Sequence, residues 1–175
     1  MTDLSELTGD YVLDTVHTRI GFVARHTMAT RVRGRFDEFE GELYLDGDHP
    51  SKSGVRLTIR TQSIQTRSAQ RDDLLRGKFL GMTGHPVITF TSTEVEQTDD
   101  TNFKVTGDLS VRGVTKPVTV DVQLTDSANG VRVGFKGGVT INRNDWGVNW
   151  NAATKVMISP SVTVEFEVAA IRRRS

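Results

Sequence analysis

Residues 105–124, VTGDLSVRGVTKPVTVDVQL, alternate apolar and polar side chains with a period of two. Apolar residues or glycine occupy every second position over 105–111, and apolar residues do so over 118–124. Successive side chains of a strand point to opposite faces, so this pattern predicts two half-buried strands. Between them, Gly113 permits an unusual backbone angle and Pro117 ends ladder pairing, which predicts a turn. We therefore expect an antiparallel hairpin with one apolar and one polar face.

The same alternation recurs through most of the chain. It predicts further strands at residues 11–14, 20–26, 32–36, 43–45, 55–60, 88–93, 131–141 and 162–168. The segment from Thr66 to Phe79 is the one good helix candidate, because it lacks a β-branched run and pairs Asp72 with Arg76 four residues later. Regularly spaced strands are typical of an all-β sandwich or barrel. Barrel closure removes both sheet edges, and about eight strands can enclose a small ligand.

Length and composition narrow the class of protein. A chain of 175 residues and 19.4 kDa predicts one domain, over residues 1–175. Lys plus Arg equals Asp plus Glu at 22 each, which argues against a nucleic-acid binder. The absence of cysteine excludes disulfides and thiolate metal sites. We see no secretory signal and no apolar stretch of membrane-spanning length, so we expect a cytoplasmic location.

Several short motifs occur along the chain in an order and spacing that are hard to obtain by chance. They are Tyr11-Val12-Leu13-Asp14 with His17, Ile20, Phe22 and His26; Gly34-Arg35-Phe36 with Phe39-Glu40-Gly41; Arg71-Asp72 with Leu75 and Phe79; Pro86-Val87-Ile88-Thr89-Phe90; the segment 107–117; and Ile141-Asn142-Arg143 with Asp145-Trp146-Gly147-Val148. With this set the sequence resembles the YceI-like proteins, also called polyisoprenoid-binding proteins. The resemblance implies an all-β fold, an extended antiparallel lipocalin-like barrel of about eight strands with one helix packed against it. It also implies a long apolar channel that holds a polyprenyl chain or a similar amphiphile.

The chain departs from the family pattern at a few positions. Leu74 stands where the helix commonly has a histidine, and Lys78 stands where it commonly has an acidic residue. Trp146 replaces the usual phenylalanine of the late motif. If the histidine meets a ligand head in relatives, the head chemistry differs here. Many relatives also have a secretion signal, so its absence argues against a periplasmic carrier role.

The residues alone leave open whether the inward faces fill the barrel or line a cavity. The apolar alternation fits a filled core, and the family resemblance favours a channel. Gly34, Gly107 and Gly137 on the inward faces fit either extra room or barrel bending. On the channel interpretation, we predict a set of ligand-binding residues. They are Phe22, His26, Phe36, Leu75, Phe79, Phe90, Leu109, Phe135, Arg143, Trp146 and Trp150.

A few polar residues are candidates for head-group contacts. His26 shares a face with Phe22, and a hydrogen-bonded core or rim histidine is an equally good interpretation. Arg143 with Asp145 fits either an anionic or quinone head or a salt bridge that locks a barrel corner. Trp146 and Trp150 suit a boundary between water and an apolar interior, with core packing as the alternative for Trp146.

His17 lies near Asp14 in the sequence. The pair fits a turn-stabilising role better than a catalytic pair or half a metal site, because further ligands are lacking. No nucleophile elbow, phosphate loop, zinc motif or dinucleotide fingerprint occurs. We therefore expect no metal, no cofactor and no catalysis.

We expect a carrier or sequestering protein for a polyprenyl lipid, such as an isoprenoid quinone or a polyprenyl phosphate. One alternative is an enzyme acting on a hydrophobic amphiphile, with His26, Arg143 or His17 as the chemical groups. Another is a structural module with a solid core and no ligand. A homodimer is compatible with the β-rich rim, although no patch in the sequence requires one.

Overall fold

The computed structural model describes residues 4–26, 31–76, 84–127, 131–148 and 158–173. In these ranges the chain forms eleven strands and one short α-helix, α1 (Ala69–Leu74). The strands are β1 (Gly9–Leu13), β2 (Arg19–His26), β3 (Arg31–Phe36), β4 (Phe39–Leu45), β5 (Gly54–Arg60), β6 (Ile64–Gln65), β7 (Val87–Gln97), β8 (Asn102–Val111), β9 (Val114–Asp126), β10 (Arg132–Asn142) and β11 (Ile158–Arg172). No helix in the described ranges is long and apolar enough to cross a membrane.

Eight strands close into an antiparallel barrel in the order β1-β4-β5-β7-β8-β9-β10-β11, with β11 returning to β1. Strand β11 is fifteen residues long, and this length makes the closure possible. One edge of the strand pairs with both β1 and β2. Residues 170–172 pair with β1, whereas stretches between Ile158 and Glu167 pair with β2. Strands β3 and β6 then continue the wall beyond β2. The expected barrel of about eight strands with one helix is confirmed.

The hairpin of β8 and β9 forms as expected, but its turn is shorter than the sequence suggested. Arg112 and Gly113 alone form the turn, with φ of 54° and 76°. Positive φ at both central residues matches the twist that a two-residue hairpin needs. Pro117 lies inside β9, opposite Asp108, so its expected role as the end of pairing was wrong. The described β9–β10 register begins only at Asp121, which leaves an open edge where proline is tolerated.

Strand β7 is longer than the alternation predicted, because a bulge interrupts the period. The register with β8 shifts between Ser92 and Glu94. The extra residue changes the parity of the inward face. Ile88 and Phe90 line the interior before the bulge, and Val95 lines it afterwards. The predicted strand was therefore too short, because a strict alternation of apolar and polar residues stops at the bulge.

The start of the helix also differs from the prediction. Helix α1 begins at Ala69 rather than Thr66, because Ser68 caps it with an extended backbone and accepts a hydrogen bond from the Arg71 N–H at 3.3 Å. Arg67, just before the cap, has φ of 65°, which is incompatible with a helix. Phe79, where the helix was predicted to end, lies outside the described residues.

The expected pairing of Asp72 with Arg76 was wrong. Arg76 instead contacts Asp73 at 3.1 Å. The Asp72 side chain turns inward, is 6% exposed, and accepts hydrogen bonds from the backbone N–H and the hydroxyl of Thr66. Burial of a carboxylate requires such partners, and the loop before the helix supplies them.

Candidate ligand-binding cavity

The barrel interior contains a cavity of about 370 Å³. Its lining consists almost entirely of inward-facing apolar side chains from the barrel strands. Ligand pockets in proteins occupy about 300–1,000 Å³ and are mostly apolar. The structure therefore favours the channel interpretation, and it contradicts the solid core that a purely structural module would have.

All eight predicted ligand-binding residues with described side chains lie in this lining. They are Phe22, Phe36, Leu75, Phe90, Leu109, Phe135, Arg143 and Trp146. The side chain of His26, together with Phe79 and Trp150, lies outside the described part of the structure. Contact of any of these residues with a ligand stays a prediction.

The three inward glycines do not leave empty space in the cavity. A Cβ on Gly34 would lie 2.6 Å from Cε1 of Phe22, and a Cβ on Gly107 would lie 2.5 Å from Cζ of Phe90. At Gly137 the obstacle is the backbone of the neighbouring strand together with the ring of Phe166. These glycines therefore admit aromatic rings and a close strand, and the rings in turn form part of the cavity wall.

The cavity has two ends with different surroundings. One end, which we call the α1 end, includes Leu75, Trp146 and Val148. The apolar members of this set belong to one hydrophobic cluster with strand residues such as Ile88 and Val111. The opposite end, which we call the far end, is lined by Leu4, Leu7, Leu45, Asp46, Gly47 and Pro50. Its leucines belong to a second cluster, centred on the fully buried Tyr11.

A 3₁₀ turn at Arg143–Trp146 builds one side of the α1 end. Trp146 is 4% exposed, and its indole N–H donates to the carbonyl of Leu109 at 2.9 Å. Trp146 is therefore both a packed core residue and part of the cavity wall. The turn ends at Gly147, whose φ of 72° is left-handed. Arg112, at the tip of the β8–β9 hairpin, donates to the Gly147 carbonyl at 2.6 Å and ties the hairpin to this corner.

Arg143 fixes the same corner from within. Its guanidinium donates to the carbonyl of Val148 at 2.6 Å and to the side chain of Asn144 at 3.2 Å. Burial lowers the pKa of Arg143, because the charged form loses hydration. These two contacts tie Arg143 to the corner through neutral groups, and its side chain also borders the cavity. The expected salt bridge with Asp145 stays a prediction.

Arg71 is a lining residue that the sequence reasoning missed. Its Nε–H donates to the Thr66 hydroxyl oxygen at 2.8 Å, and Nη2 donates to the Thr66 carbonyl at 2.6 Å. The same Thr66 hydroxyl donates to Asp72 at 2.5 Å, so the buried carboxylate orients the arginine indirectly. The signal was available in the sequence, because Arg71 is four residues before Leu75 and side chains at that spacing share a helix face.

The lining includes a few charged side chains. Among the described lining residues these are Arg71, Arg143 and Asp46. Asp46 already accepts hydrogen bonds from the backbone N–H groups of Asp48 and His49. The described lining is therefore apolar apart from three charged side chains, each of which has hydrogen-bond partners in the protein.

His17 and Asp14 form a close pair away from the cavity lining. Their Nδ1 and Oδ2 atoms lie 2.7 Å apart, and Asp14 also accepts from the backbone N–H of Val16. The hydrogen bond with His17 holds the pKa of Asp14 below its ordinary value. No group of three potential metal ligands occurs in the described ranges. These contacts support the turn-stabilising interpretation.

Comparison with known proteins agrees with this architecture. The family model of the YceI-like domain matches residues 11–170. A UPF0312 protein of Pseudomonas paraeruginosa is 38% identical over 149 residues, which cover 81% of this chain and 78% of the relative.

Two solved structures share the fold. Burkholderia cenocepacia BcnA superposes with a TM-score of 0.82 at 22% identity, covering 90% of this chain and 98% of BcnA. A polyisoprenoid-binding domain from Saccharophagus degradans gives a TM-score of 0.74 at 18% identity, covering 93% and 98%. The match to the family model, which extends over most of the strands described above, shows that the chain belongs to the YceI-like family.

Proposed function

We propose that this protein binds an isoprenoid lipid inside the barrel and carries or sequesters it without chemical change. The observation that supports this most directly is the apolar cavity of about 370 Å³. The Saccharophagus degradans neighbour, which shares the fold, is described as a polyisoprenoid-binding domain. A branched hydrocarbon tail matches a channel whose walls are valine, leucine, isoleucine and phenylalanine.

Burial of the isoprenoid tail in the cavity supplies the free energy of binding. Each buried CH₂ contributes about 0.8 kcal/mol, so one five-carbon unit contributes about 4 kcal/mol before costs. Association and ordering costs take roughly 4–15 kcal/mol. A few isoprene units therefore suffice for the roughly 8–12 kcal/mol of micromolar to nanomolar binding.

The polar groups of the cavity favour binding over catalysis. The described lining contains no histidine, and its one carboxylate, Asp46, is engaged by backbone N–H groups. General acid–base catalysis needs a group that can exchange a proton near the operating pH. The His17–Asp14 pair has suitable chemistry but does not border the cavity.

Native mass spectrometry of freshly purified protein, followed by organic extraction, tests the proposal. We expect a discrete added mass that extracts as an unmodified prenyl lipid. Val164→Trp, which fills the cavity, should lose this mass, whereas Glu165→Trp on the exposed face of the same strand should retain it. Equal lipid occupancy in both variants would place the ligand elsewhere. A bound lipid that is converted to a product on incubation would contradict the non-catalytic part.

A further inference from the structure

The segment that contains β2 and β3 concentrates positive charge. Residues 19–36 include no acidic residue and five arginines, which are Arg19, Arg25, Arg31, Arg33 and Arg35. The whole chain has 22 basic and 22 acidic residues, so 17 basic and 22 acidic residues remain outside this segment. Such an asymmetry in a protein without net charge creates a local positive potential that attracts anions.

Arg31 and Arg33 on β3 have no ion-pair partner in the part of the chain that the structure describes. Both residues are exposed. They alternate with Val32, which lines the cavity, so they lie on the outward face of the strand. The next outward residue, Arg35, differs because its guanidinium forms an ion pair with Asp37 at 2.8 Å. The uncompensated charge therefore lies in the first half of β3.

Strand register places these two arginines at the α1 end of the barrel. One continuous row of paired residues crosses four strands and consists of Ile141, Val162, Ala24 and Val32. Arg31 lies one residue beyond this row, level with the last residue of β10. The turn that contains Trp146 follows β10 directly, and Trp146 belongs to the α1 end. Arg31 therefore lies at the same end as Trp146, and Arg33 follows on the same outward face.

The part of the wall that bears these arginines separates the cavity from solvent. Val32 lines the cavity from the inner face of β3, between the two arginines in sequence. On the edge away from β2, strand β3 pairs with β6 only through its last two residues. No described strand therefore lies beside residues 31–34 on that edge. The α1 end thus has an exposed cationic margin next to an apolar interior.

We propose that the outward face of β3 at Arg31 and Arg33 docks the α1 end of the barrel onto an anionic phospholipid membrane. The proposal rests on the proposed isoprenoid-binding function, because an isoprenoid partitions into bilayers and its carrier must contact one to load or release it. Each arginine near an anionic bilayer strengthens binding roughly fivefold. This attraction extends only about 10 Å at 0.1 M salt, so it acts where the arginines are close to the surface.

A membrane fits these observations better than a nucleic acid, the other abundant polyanion. Nucleic-acid binders normally have a strong basic excess, and this chain has none. The cationic margin also adjoins a cavity with apolar walls, which suits a hydrocarbon tail that leaves a bilayer. A nucleic acid has no comparable relation to an apolar cavity.

Flotation with lipid vesicles tests the docking surface. Vesicles of phosphatidylcholine alone are compared with vesicles of equal parts phosphatidylcholine and phosphatidylglycerol. We expect the unaltered protein to bind the anionic vesicles preferentially, and this binding to weaken as salt is added. Arg31→Gln combined with Arg33→Gln should weaken the binding roughly 25-fold, which is fivefold for each charge. The isoprenoid mass in native mass spectrometry should not change, because neither arginine borders the cavity.

Two further variants separate charge from structure. Arg56→Gln combined with Lys104→Gln is the matched control, because it removes the same charge from exposed residues that are paired with Glu42 and Asp121. Its binding to anionic vesicles should stay within about twofold of the original, because charges beyond a Debye length are screened. Arg31→Lys combined with Arg33→Lys keeps both charges and should keep the binding.

The outcomes separate the two proposals. Equal binding of the unaltered protein to both kinds of vesicle overturns the docking inference and leaves isoprenoid binding intact. Absence of a bound isoprenoid together with a preference for anionic vesicles overturns the proposed function and leaves the docking surface.

Two results overturn the assignment itself. One is an anionic preference that survives Arg31→Gln combined with Arg33→Gln. The other is binding to double-stranded DNA that is tighter than binding to the anionic vesicles and is lost in the same variant. Thermal unfolding by circular dichroism identifies any variant that fails to fold, and in that case the single substitution Arg33→Gln and the lysine pair decide.

Discussion

The contact between Gly34 and Phe22 gives a prediction that joins stability to ligand binding. In Gly34→Ala the new Cβ would lie 2.6 Å from Cε1 and 2.8 Å from Cε2 of Phe22, and closer still to Cζ. Carbon atoms in contact prefer about 3.5–4.0 Å, so the ring must move by about 1 Å or more. The Phe22 ring lies between β3 and the cavity. The centroids of the Phe22 and Phe36 rings are 5.9 Å apart. The ring borders the cavity, so it can move into that space.

We expect Gly34→Ala to lower the free energy of unfolding by about 1–3 kcal/mol, the usual cost of overpacking a core. For a chain of this size that corresponds to a melting temperature lower by about 2–12 °C. Because the displaced ring occupies cavity space, lipid occupancy should fall as well. Urea unfolding followed by the fluorescence of buried Trp146 measures the first effect, and native mass spectrometry measures the second.

Two further variants isolate the contact. Gly84→Ala is the matched control, since a Cβ there meets no atom of the described residues within 4 Å. Its stability should stay within about 0.5 kcal/mol of the original. Phe22→Leu removes the ring, so Gly34→Ala should cost much less in that background, and a double-mutant cycle gives the coupling. If Gly34→Ala unfolds at the original urea concentration and keeps its lipid, the ring does not rest on the glycine and the reasoning fails.

Two other predictions concern single hydrogen bonds. Trp146→Phe removes the indole N–H that donates to the Leu109 carbonyl. Urea unfolding should show that the protein is less stable by about 1–3 kcal/mol. No change in stability would mean that water replaces the lost donor. The pKa of Asp14 is lowered in the folded state, so its carboxylate stabilises the fold above its ordinary pKa of 3.8 and this stabilisation is lost as the pH falls through the folded value. Relative to Asp14→Asn, the unaltered protein should therefore be more stable near neutral pH and lose that advantage below 3.8. A constant difference across this range would contradict the assignment of the stabilisation to the His17 contact.

The parts of the fold that were predictable depend on local pattern. Alternation identified most of the long strands, and Gly113 marked the central hairpin turn, because strand periodicity and turn conformation are properties of neighbouring residues. The predicted element boundaries were wrong where a local feature interrupts the sequence pattern. The bulge at Ser92 shifted the inward parity of β7, and the cap at Ser68 started the helix later than its composition suggested.

The lining of the candidate site was predictable in its apolar part and at Arg143, and it was not predictable at Arg71. Phe22, Phe90 and Phe135 were assigned to the lining because inward parity and the family resemblance both pointed to them. Arg71 was missed although it lies four residues before Leu75 and shares its helix face, because a charged side chain is not expected in the lining of an apolar cavity. Its place in the cavity lining depends on contacts between segments that are far apart in the sequence.

The sequence by itself determined the all-β class, the inward and outward faces of most strands, and membership of a family of barrels. Only the tertiary structure decided that the barrel is hollow, that inward glycines are covered by phenylalanine rings, and that Arg71 joins the cavity lining. The physical reason is the range of the interactions. A strand's face follows from its own residues, whereas a cavity is the volume left after eight strands have closed in a particular register, which no single strand encodes.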